Sequence, residues 1–143
     1  MNVVMWTRTA GVSAITIAVA FLDACRDKLP TAPSELTEGI VIYQDANFLG
    51  KAAYVTSDIR NLRDVDGPCR QGGGDDVVDS WDDCVSSVRV APGWRAALYE
   101  DPNFKGWAAD VGDENVSNYQ LVRGPCARDT FNDCASSVRV YRR

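Results

Sequence analysis

Two short stretches of this chain carry oxygen-bearing side chains at matching positions. Residues 81–90 read WDDCVSSVRV, and residues 131–140 read FNDCASSVRV. Each stretch places an acid or amide, a second acid and a serine within six residues. Carboxylate, amide, hydroxyl and carbonyl oxygens are the hard ligands that Ca²⁺ takes at flexible geometry. The stretches could therefore bind a divalent cation, and the simpler alternative is a pair of polar turns that cap their own backbone groups.

Composition excludes several other kinds of chemistry. The chain of 143 residues contains no histidine, which removes Ser-His and Cys-His nucleophile pairs and histidine metal ligands. The 20 Asp and Glu outnumber the 15 Lys and Arg, so there is no basic footprint for nucleic acid. We expect a protein that is not an enzyme and that does not bind nucleic acid.

The two stretches belong to a longer internal repeat. Residues 43–50 read YQDANFLG and residues 99–106 read YEDPNFKG, while Gly-Pro-Cys occurs at both 67–69 and 124–126. Three phrases in the same order in both halves define a repeat of about fifty residues. Units of that size bury little core alone, so the two should share one.

Strand patterns dominate both repeats, and no segment has a helical period. In the first repeat, strands are expected at 39–43, 51–56 and 87–90, with a short one near 58–62 and a long loop over 63–80. In the second repeat they are expected at 95–99, 107–111, 116–119 and 137–141. Four short strands per repeat predict an all-β fold, a two-sheet antiparallel sandwich of two Greek-key motifs at about 39–91 and 94–142.

The first 24 residues have the features of a secretory signal. Residues 10–22 form an apolar run too short to span a bilayer comfortably, and Arg8 precedes it. The sequence Leu-Asp-Ala-Cys at 22–25 resembles the bacterial lipobox, although Asp23 departs from it, and this implies lipidation of Cys25. We expect an exported chain, anchored to the cell envelope only by that lipid, with residues 25–38 as a flexible tether. An ordinary cut after Ala20 would instead give a freely secreted protein.

Cysteine parity fits this interpretation. Four of the five cysteines lie inside the repeat, which leaves Cys25 without a partner. Pairing within each repeat, Cys69–Cys84 and Cys126–Cys134, is the simplest arrangement because both repeats then have the same topology. Two other connectivities remain open from sequence alone.

Taken together, the repeated phrases resemble the βγ-crystallin family. The pattern aromatic-x-x-x-x-aromatic-x-Gly at 43–50 and 99–106 is similar to the signature of that family's Greek key, and DDCVSS at 82–87 and NDCASS at 132–137 resemble its calcium-binding phrase. The resemblance covers residues 40–141. It implies a βγ-crystallin-like domain over residues 39–143.

The resemblance also implies two calcium sites, each formed by one repeat's phrase and the other repeat's hairpin. The ligands carried over to the first site are Asp83, the Cys84 carbonyl, Ser86 and the Glu100 carbonyl. Those of its twin are Asp133, the Cys134 carbonyl, Ser136 and the Gln44 carbonyl. Asp82 and Asn132 are expected to brace the loops.

The expected function is a calcium-binding, disulfide-stapled structural or binding module at the cell envelope or exterior. A proteinase inhibitor is the alternative, because one family of secreted bacterial metalloproteinase inhibitors resembles this fold and also carries disulfides. An exposed loop such as residues 70–80 would then block the enzyme. Calcium titration and an inhibition assay distinguish the two functions.

Overall fold

A computed structural model describes residues 27–143, and the predicted signal and Cys25 lie outside this range. The described chain forms nine strands and four single-turn 3₁₀ helices. The strands are β1 Asp27–Lys28, β2 Ile40–Asp45, β3 Leu49–Val55, β4 Val65–Gln71, β5 Val78–Ser80, β6 Ser87–Val90, β7 Trp94–Asp101, β8 Lys105–Gly112 and β9 Ser137–Arg142. The 3₁₀ helices are Ala46–Phe48, Leu62–Asp64, Tyr119–Leu121 and Ala127–Asp129. Within residues 27–143, no helix has the length and apolar character that a bilayer crossing requires.

The two repeats form two matching antiparallel sheets. One sheet has the order β3-β2-β6 and the other has the order β8-β7-β9. Each sheet also takes a single bridge from the opposite repeat, since Ile59 pairs with Val138 and Val116 pairs with Val88. The expected two-sheet Greek-key sandwich is confirmed, and the exchanged bridges tie each repeat to the sheet of the other.

The core lies between the two sheets, where the inward residues alternate along each strand. Ile40 and Ile42 of β2 face Ala96 and Leu98 of β7, and all four side chains are fully buried. Such alternation is what a half-buried strand requires, because successive side chains point to opposite faces. Residues 81–86 and 131–136, called the motif loops, add Trp81, Val85, Phe131 and Ala135 to the same core. Packing of the core therefore fixes the position of the two oxygen-rich stretches.

The segment expected as a long loop, residues 63–80, contains two strands. β4 and β5 pair antiparallel, with Arg70 opposite Asp79 and Gln71 opposite Val78. The sequence of β4 shows no clear alternation of apolar and polar residues, because it contains Gly67 and Pro68 and the strand is only half buried. The short strand expected at 58–62 is also wrong, since it reduces to the single bridge at Ile59.

Part of the segment expected as a flexible tether lies against the domain. β1 pairs in parallel with β4, and the backbone N–H of Tyr54 donates to the Pro30 carbonyl over 2.9 Å. Leu29 packs against the core. Residues 27–30 are therefore attached to the first repeat.

The cysteines pair within each repeat, as the simplest arrangement predicted. Cys69 bonds Cys84 across a separation of 15 residues, and Cys126 bonds Cys134 across 8. Cys84 and Cys134 are fully buried next to the acidic positions of the two motif loops. Each disulfide therefore ties a motif loop to the segment that precedes it.

The β2–β3 and β7–β8 hairpins are each closed by a pair of aromatic rings over a tight bend. Tyr43 and Phe48 meet edge to face at 5.7 Å, and the guanidinium of Arg89 lies 4.5 Å from the Phe48 ring centre. Tyr99, Phe104 and Arg139 repeat the arrangement in the second hairpin. Edge-to-face rings and a stacked cation each stabilise by about 1 kcal/mol.

The glycine after the hairpin bend is required by its backbone. Gly50 has φ +74°, and a Cβ there would lie 2.5 Å from Oδ2 of Asp45. Gly50→Ala should therefore lower the free energy of unfolding by about 1–3 kcal/mol in urea denaturation. The matched control is Gly73→Ala, because a Cβ on Gly73 meets nothing within 4 Å. Equal stability of the two variants would contradict this assignment.

Candidate cation site

The two motif loops lie against each other through reciprocal backbone hydrogen bonds. The N–H of Asp83 donates to the Ala135 carbonyl over 3.0 Å, and the N–H of Asp133 donates to the Val85 carbonyl over 3.2 Å. Asp83 and Asp133 have φ +47° and +50°, the left-handed conformation in which Asp is among the better tolerated residues. The loops are therefore related by an approximate twofold axis and present their acids to one another.

Each loop is also attached to a hairpin. The N–H of Ser86 donates to the Tyr43 carbonyl over 3.0 Å, and the N–H of Ser136 donates to the Tyr99 carbonyl over 2.8 Å. These bonds bring Ser86 next to Gln44, and they bring Ser136 next to Glu100.

The structure joins the sequence-predicted residues in a different grouping. The hydroxyl of Ser86 donates to Oδ1 of Asp133 over 3.0 Å, although the resemblance assigned Ser86 to the site of Asp83. On the other side, the N–H of Asp83 donates to the carbonyl of Ala135, the residue before Ser136. Ser86 therefore lies beside the acid of the opposite motif, a relation that sequence order does not reveal.

An open cleft of about 560 Å³ collects half of the candidate ligands on one side. Gln44, Asp83, Ser86, Asn132 and Asp133 all line it. Ser136 and Glu100 do not line this cleft, and they lie with the second hairpin at the other end of the paired loops.

Two buried oxygens in the motif loops have no hydrogen-bond partner. They are Oδ1 of Asp82 and Oδ1 of Asn132, which occupy the same position in the two phrases. A buried polar atom without a partner is costly, and such atoms are rare in folded proteins. Asn132 does brace its loop, since its Nδ2 donates to Oδ2 of Asp133 over 2.6 Å. The unsatisfied oxygens show that both loops retain unused acceptor capacity.

Asp83 and Asp133 resist ionisation, because the pKa of each carboxyl is raised. Burial, followed by the negative charges of Asp82 and Asp133, raises the pKa of Asp83 to about 6, although Arg63 acts in the opposite direction. Burial also raises the pKa of Asp133, which the Ser86 hydrogen bond partly offsets. Carboxylates held close together in a half-buried site favour the binding of a proton or a metal cation.

The donor set fits calcium better than a transition metal. Within residues 27–143, no three His, Cys, Asp or Glu side chains are close enough together to form a metal-binding group. A cation here would rely on one or two carboxylates together with hydroxyl, amide and carbonyl oxygens. Calcium accepts such mixed oxygen shells and tolerates water in the remaining positions.

The last serine of each phrase holds the hairpin, a role that sequence reasoning did not assign. The hydroxyl of Ser87 donates to the Asp45 carbonyl over 2.6 Å and accepts from the N–H of Phe48 over 3.0 Å. Ser137 makes the same two bonds with Asp101 and Phe104. The signal was present in the sequence, since both phrases end in Ser-Ser and both hairpins have the same length.

The two serines of one phrase should therefore behave differently. Ser87→Ala removes two hydrogen bonds from a fully buried hydroxyl and should cost about 2 kcal/mol of unfolding free energy. Ser86→Ala should change stability less but weaken any cation bound beside Asp133. Urea denaturation and a calcium titration of both variants measure these effects, and identical profiles for the two serines would refute the division of roles.

Comparison with known proteins identifies two related groups. The sequence profile of the Peptidase inhibitor family I36 matches residues 41–111. Gamma-crystallin S-2 of Chiloscyllium indicum is 30% identical over 101 residues, which cover 71% of this chain and 45% of the crystallin. The chain thus spans about half the length of the curated relatives it matches.

Solved structures show the same fold. A domain from work on the evolution of the eye-lens βγ-crystallin fold superposes with a TM-score of 0.60 at 23% identity and covers 80% of this chain and 95% of that one. A βγ-crystallin from Ciona intestinalis superposes at 0.50 with 22% identity, over 71% of this chain and 96% of the other. Crystallins and peptidase inhibitors are not catalysts, which is consistent with the expectation that this chain is not an enzyme. The described chain has the βγ-crystallin fold, and its sequence is similar to that of gamma-crystallins.

Proposed function

We propose that this chain is a calcium-binding, disulfide-stapled module whose paired motif loops each bind one cation. The observation that carries the proposal is the crossed arrangement in which Ser86 of one phrase bonds Asp133 of the other. Acids, hydroxyls and carbonyls from two loops and a hairpin converge there. The unsatisfied Oδ1 atoms of Asp82 and Asn132 add two buried acceptors to the same loops.

The crossed contacts define the proposed ligand sets. One set contains Asp133, Ser86 and the Gln44 carbonyl, and the other contains Asp83, Ser136 and the Glu100 carbonyl. The carbonyls of Cys84 and Cys134, which the sequence resemblance implies as ligands, belong to the same two motif loops. A cation would supply positive charge to acids whose ionisation the protein opposes.

The proposed affinity is modest. Each set offers one carboxylate, so several ligands would be neutral oxygens or water. Sites with few charged ligands on extracellular modules bind calcium at about 10⁻⁴ to 10⁻³ M, and sensor sites reach about 10⁻⁵ M. The disulfides hold the loops in shape before the metal binds, which lowers the ordering cost.

Thermal unfolding during a calcium titration tests the proposal. Free calcium at one hundred times the dissociation constant should stabilise by about 2.7 kcal/mol per site, a rise in melting temperature of roughly 10 °C. Magnesium at equal concentration should give a smaller rise, because it demands tighter octahedral geometry. The double variant Asp83→Asn with Asp133→Asn should show no rise, while Asp75→Asn, in an exposed loop, should respond like the parent. A parent chain that is insensitive to calcium would refute the proposal.

Peptidase inhibition is the second candidate, and the match to the Peptidase inhibitor family I36 favours it. β4 and β5 form a hairpin whose tip, at residues 72–76, is exposed. The Cys69–Cys84 disulfide fixes the base of this hairpin. A hairpin with an exposed tip and a disulfide at its base is suited to insertion into the active-site cleft of a proteinase. It needs little further ordering when it binds.

An inhibition assay against a panel of metalloproteinases separates the two functions. Inhibition that persists in the Asp83→Asn, Asp133→Asn double variant, and that disappears when residues 72–76 are replaced by a two-residue turn, would establish the inhibitor. Absence of inhibition across the panel would remove this candidate and leave the calcium proposal unaffected.

Export and lipid anchoring complete the proposal. Two disulfides suit an oxidising compartment, and Leu-Asp-Ala-Cys at 22–25 would allow a lipid to be attached to Cys25. Metabolic labelling with a radioactive fatty acid should mark the parent chain, and Cys25→Ser should abolish the label. A soluble, unlabelled parent chain in the culture medium would instead support free secretion.

A further inference from the structure

Within residues 27–143, the first repeat contains a bound extended segment and the second repeat has no equivalent. Residues 28–30, called the strap, run between the edges of β3 and β4. Lys28 pairs in parallel with Asp66 of β4, and the Pro30 carbonyl accepts from Tyr54 of β3. Leu29 packs against the core between these two contacts. The strap therefore fills the groove between β3 and β4, and its backbone pairs with the edge of each of these strands.

Charge accompanies the backbone pairing. Nζ of Lys28 lies 3.8 Å from Oδ2 of Asp66. A surface ion pair of this kind adds little stability, but it favours one sign of charge at that position of the strap. The first groove is thus filled by a basic residue followed by leucine.

The second repeat aligns with the residues that form this groove, so we expect an equivalent groove there with different chemistry. Aligning NLRDVDGPC at 61–69 with NYQLVRGPC at 118–126 places Arg123 where the first repeat has Asp66. Aligning LGKAAYV of β3 with KGWAADV of β8 places Trp107 where the first repeat has Lys51. Arg123 therefore carries a positive charge where Asp66 carries a negative one. Trp107 offers a larger apolar surface than Lys51.

No strap covers this groove within residues 27–143. β8 pairs only with β7 there, and its outer edge has no strand partner. Trp107 is 50% exposed and Leu121 is 84% exposed, while Val122 packs partly against the core. An exposed strand edge beside apolar side chains is a template for pairing with another extended chain.

We propose that this second-repeat groove, formed by the β8 edge, Trp107, Val122 and Arg123, binds an extended segment of a partner protein in which an acidic residue precedes a large apolar residue. The acid meets Arg123, as Lys28 meets Asp66 in the first repeat. The apolar residue enters between Trp107 and Val122, as Leu29 does on the other side. Backbone hydrogen bonds to the β8 edge supply affinity that is independent of sequence.

A second copy of this chain is a poor occupant of the groove. Its own strap carries Lys28, which would face Arg123 with the same charge. Like charges at a contact select against that partner. The acid at the edge of β8, Asp110, is already held by Arg95 at 3.3 Å, so it opposes an acidic segment less.

Binding of two short peptides to the full chain tests the proposal by ¹⁵N NMR. The probes are acetyl-Asp-Glu-Leu-Pro-Thr-amide and its Lys counterpart, acetyl-Asp-Lys-Leu-Pro-Thr-amide, which copies the strap. The Glu peptide should bind about threefold more tightly and should shift the amide signals of β8 and residues 122–123. Arg123→Glu should reverse the preference, and Arg128→Glu, at another exposed position, should leave it unchanged.

Trp107→Lys gives this position the lysine that the first repeat has at Lys51, and it should weaken binding of the Glu peptide by about tenfold. Trp107 and Arg123 are exposed, so both variants should fold, and unchanged signals from the core confirm this. Three results would overturn the proposal: no shifts at millimolar peptide, shifts confined to the motif loops, or equal affinity of both peptides for parent and Arg123→Glu chains. Self-association of the parent that Arg123→Glu abolishes would also overturn it, in favour of a second copy.

Discussion

Replacing Cys69 and Cys84 by alanine should lower the free energy of unfolding by about 3 kcal/mol, the largest stability effect expected for this chain. The bond closes a loop with a sequence separation of 15, and the resulting loss of entropy in the unfolded chain stabilises the fold by an amount of that size. Cys84 is also fully buried, so its loss leaves a small void beside Val85. Urea denaturation of the parent and the double variant measures the difference.

The second disulfide serves as the matched comparison. Cys126 and Cys134 are separated by 8 residues, so their replacement should cost slightly less, about 2.5 kcal/mol. Both double variants should also bind calcium more weakly, because each bond shapes a motif loop before binding. A variant that matched the parent in both stability and calcium response would contradict the stapling role.

Asp83→Asn should abolish one calcium site and at the same time stabilise the metal-free chain at neutral pH. Burial and the charges of Asp82 and Asp133 raise the pKa of Asp83 to about 6, above its ordinary value of 3.8. Because the folded state binds this proton more tightly than the unfolded state does, the protonated acid stabilises the fold. This stabilisation is complete below pH 4 and is lost as the pH rises through 6. The ionised acid at pH 7 therefore weakens the metal-free fold.

The size of this effect is modest because the side chain is half exposed. Two pKa units correspond to nearly 3 kcal/mol, and solvent screening reduces the expected gain of the variant to about 1 kcal/mol. The measurement is unfolding free energy from pH 4 to pH 7 without metal, for the parent and for Asp83→Asn. The excess of unfolding free energy of Asp83→Asn over the parent should grow from pH 4 to pH 7. The difference between exposed Asp75→Asn and the parent should stay constant over the same interval. A variant less stable than the parent at pH 7 would contradict the charge account.

Proton competition gives the calcium response the opposite pH dependence. Calcium must displace the proton from Asp83, so its affinity should fall as pH drops below about 6. Acid thus strengthens the metal-free fold through this group and weakens metal binding.

The fold was predictable from sequence because its signals are repeated. The hairpin phrases at 43–50 and 99–106 each supply an aromatic pair and a glycine, and the Val-Arg-Val phrases supply strands with one apolar face. The cysteine pairing followed from the same repetition. β4 was missed because Gly67 and Pro68 interrupt its pattern, and both residues are uncommon in strands.

The site was only partly predictable, since its geometry depends on how the repeats cross. Asp83, Ser86, Asp133 and Gln44 do line one cleft. The bond from Ser86 to Asp133 joins residues 47 positions apart, and the bridges of Ile59 and Val116 also join the two repeats. No local pattern encodes that exchange. The hairpin-holding role of Ser87 depends on the same tertiary arrangement.

The most direct test of the paired-loop account is a crystal structure of the chain grown in calcium chloride. The account predicts a density peak about 2.4 Å from a carboxylate oxygen of Asp133, shared with the Ser86 hydroxyl and the Gln44 carbonyl. A second peak should lie among Asp83, Ser136 and the Glu100 carbonyl, and neither peak should appear in the Asp83→Asn, Asp133→Asn variant. Calcium found only at lattice contacts, with water alone between the motif loops, would contradict the account.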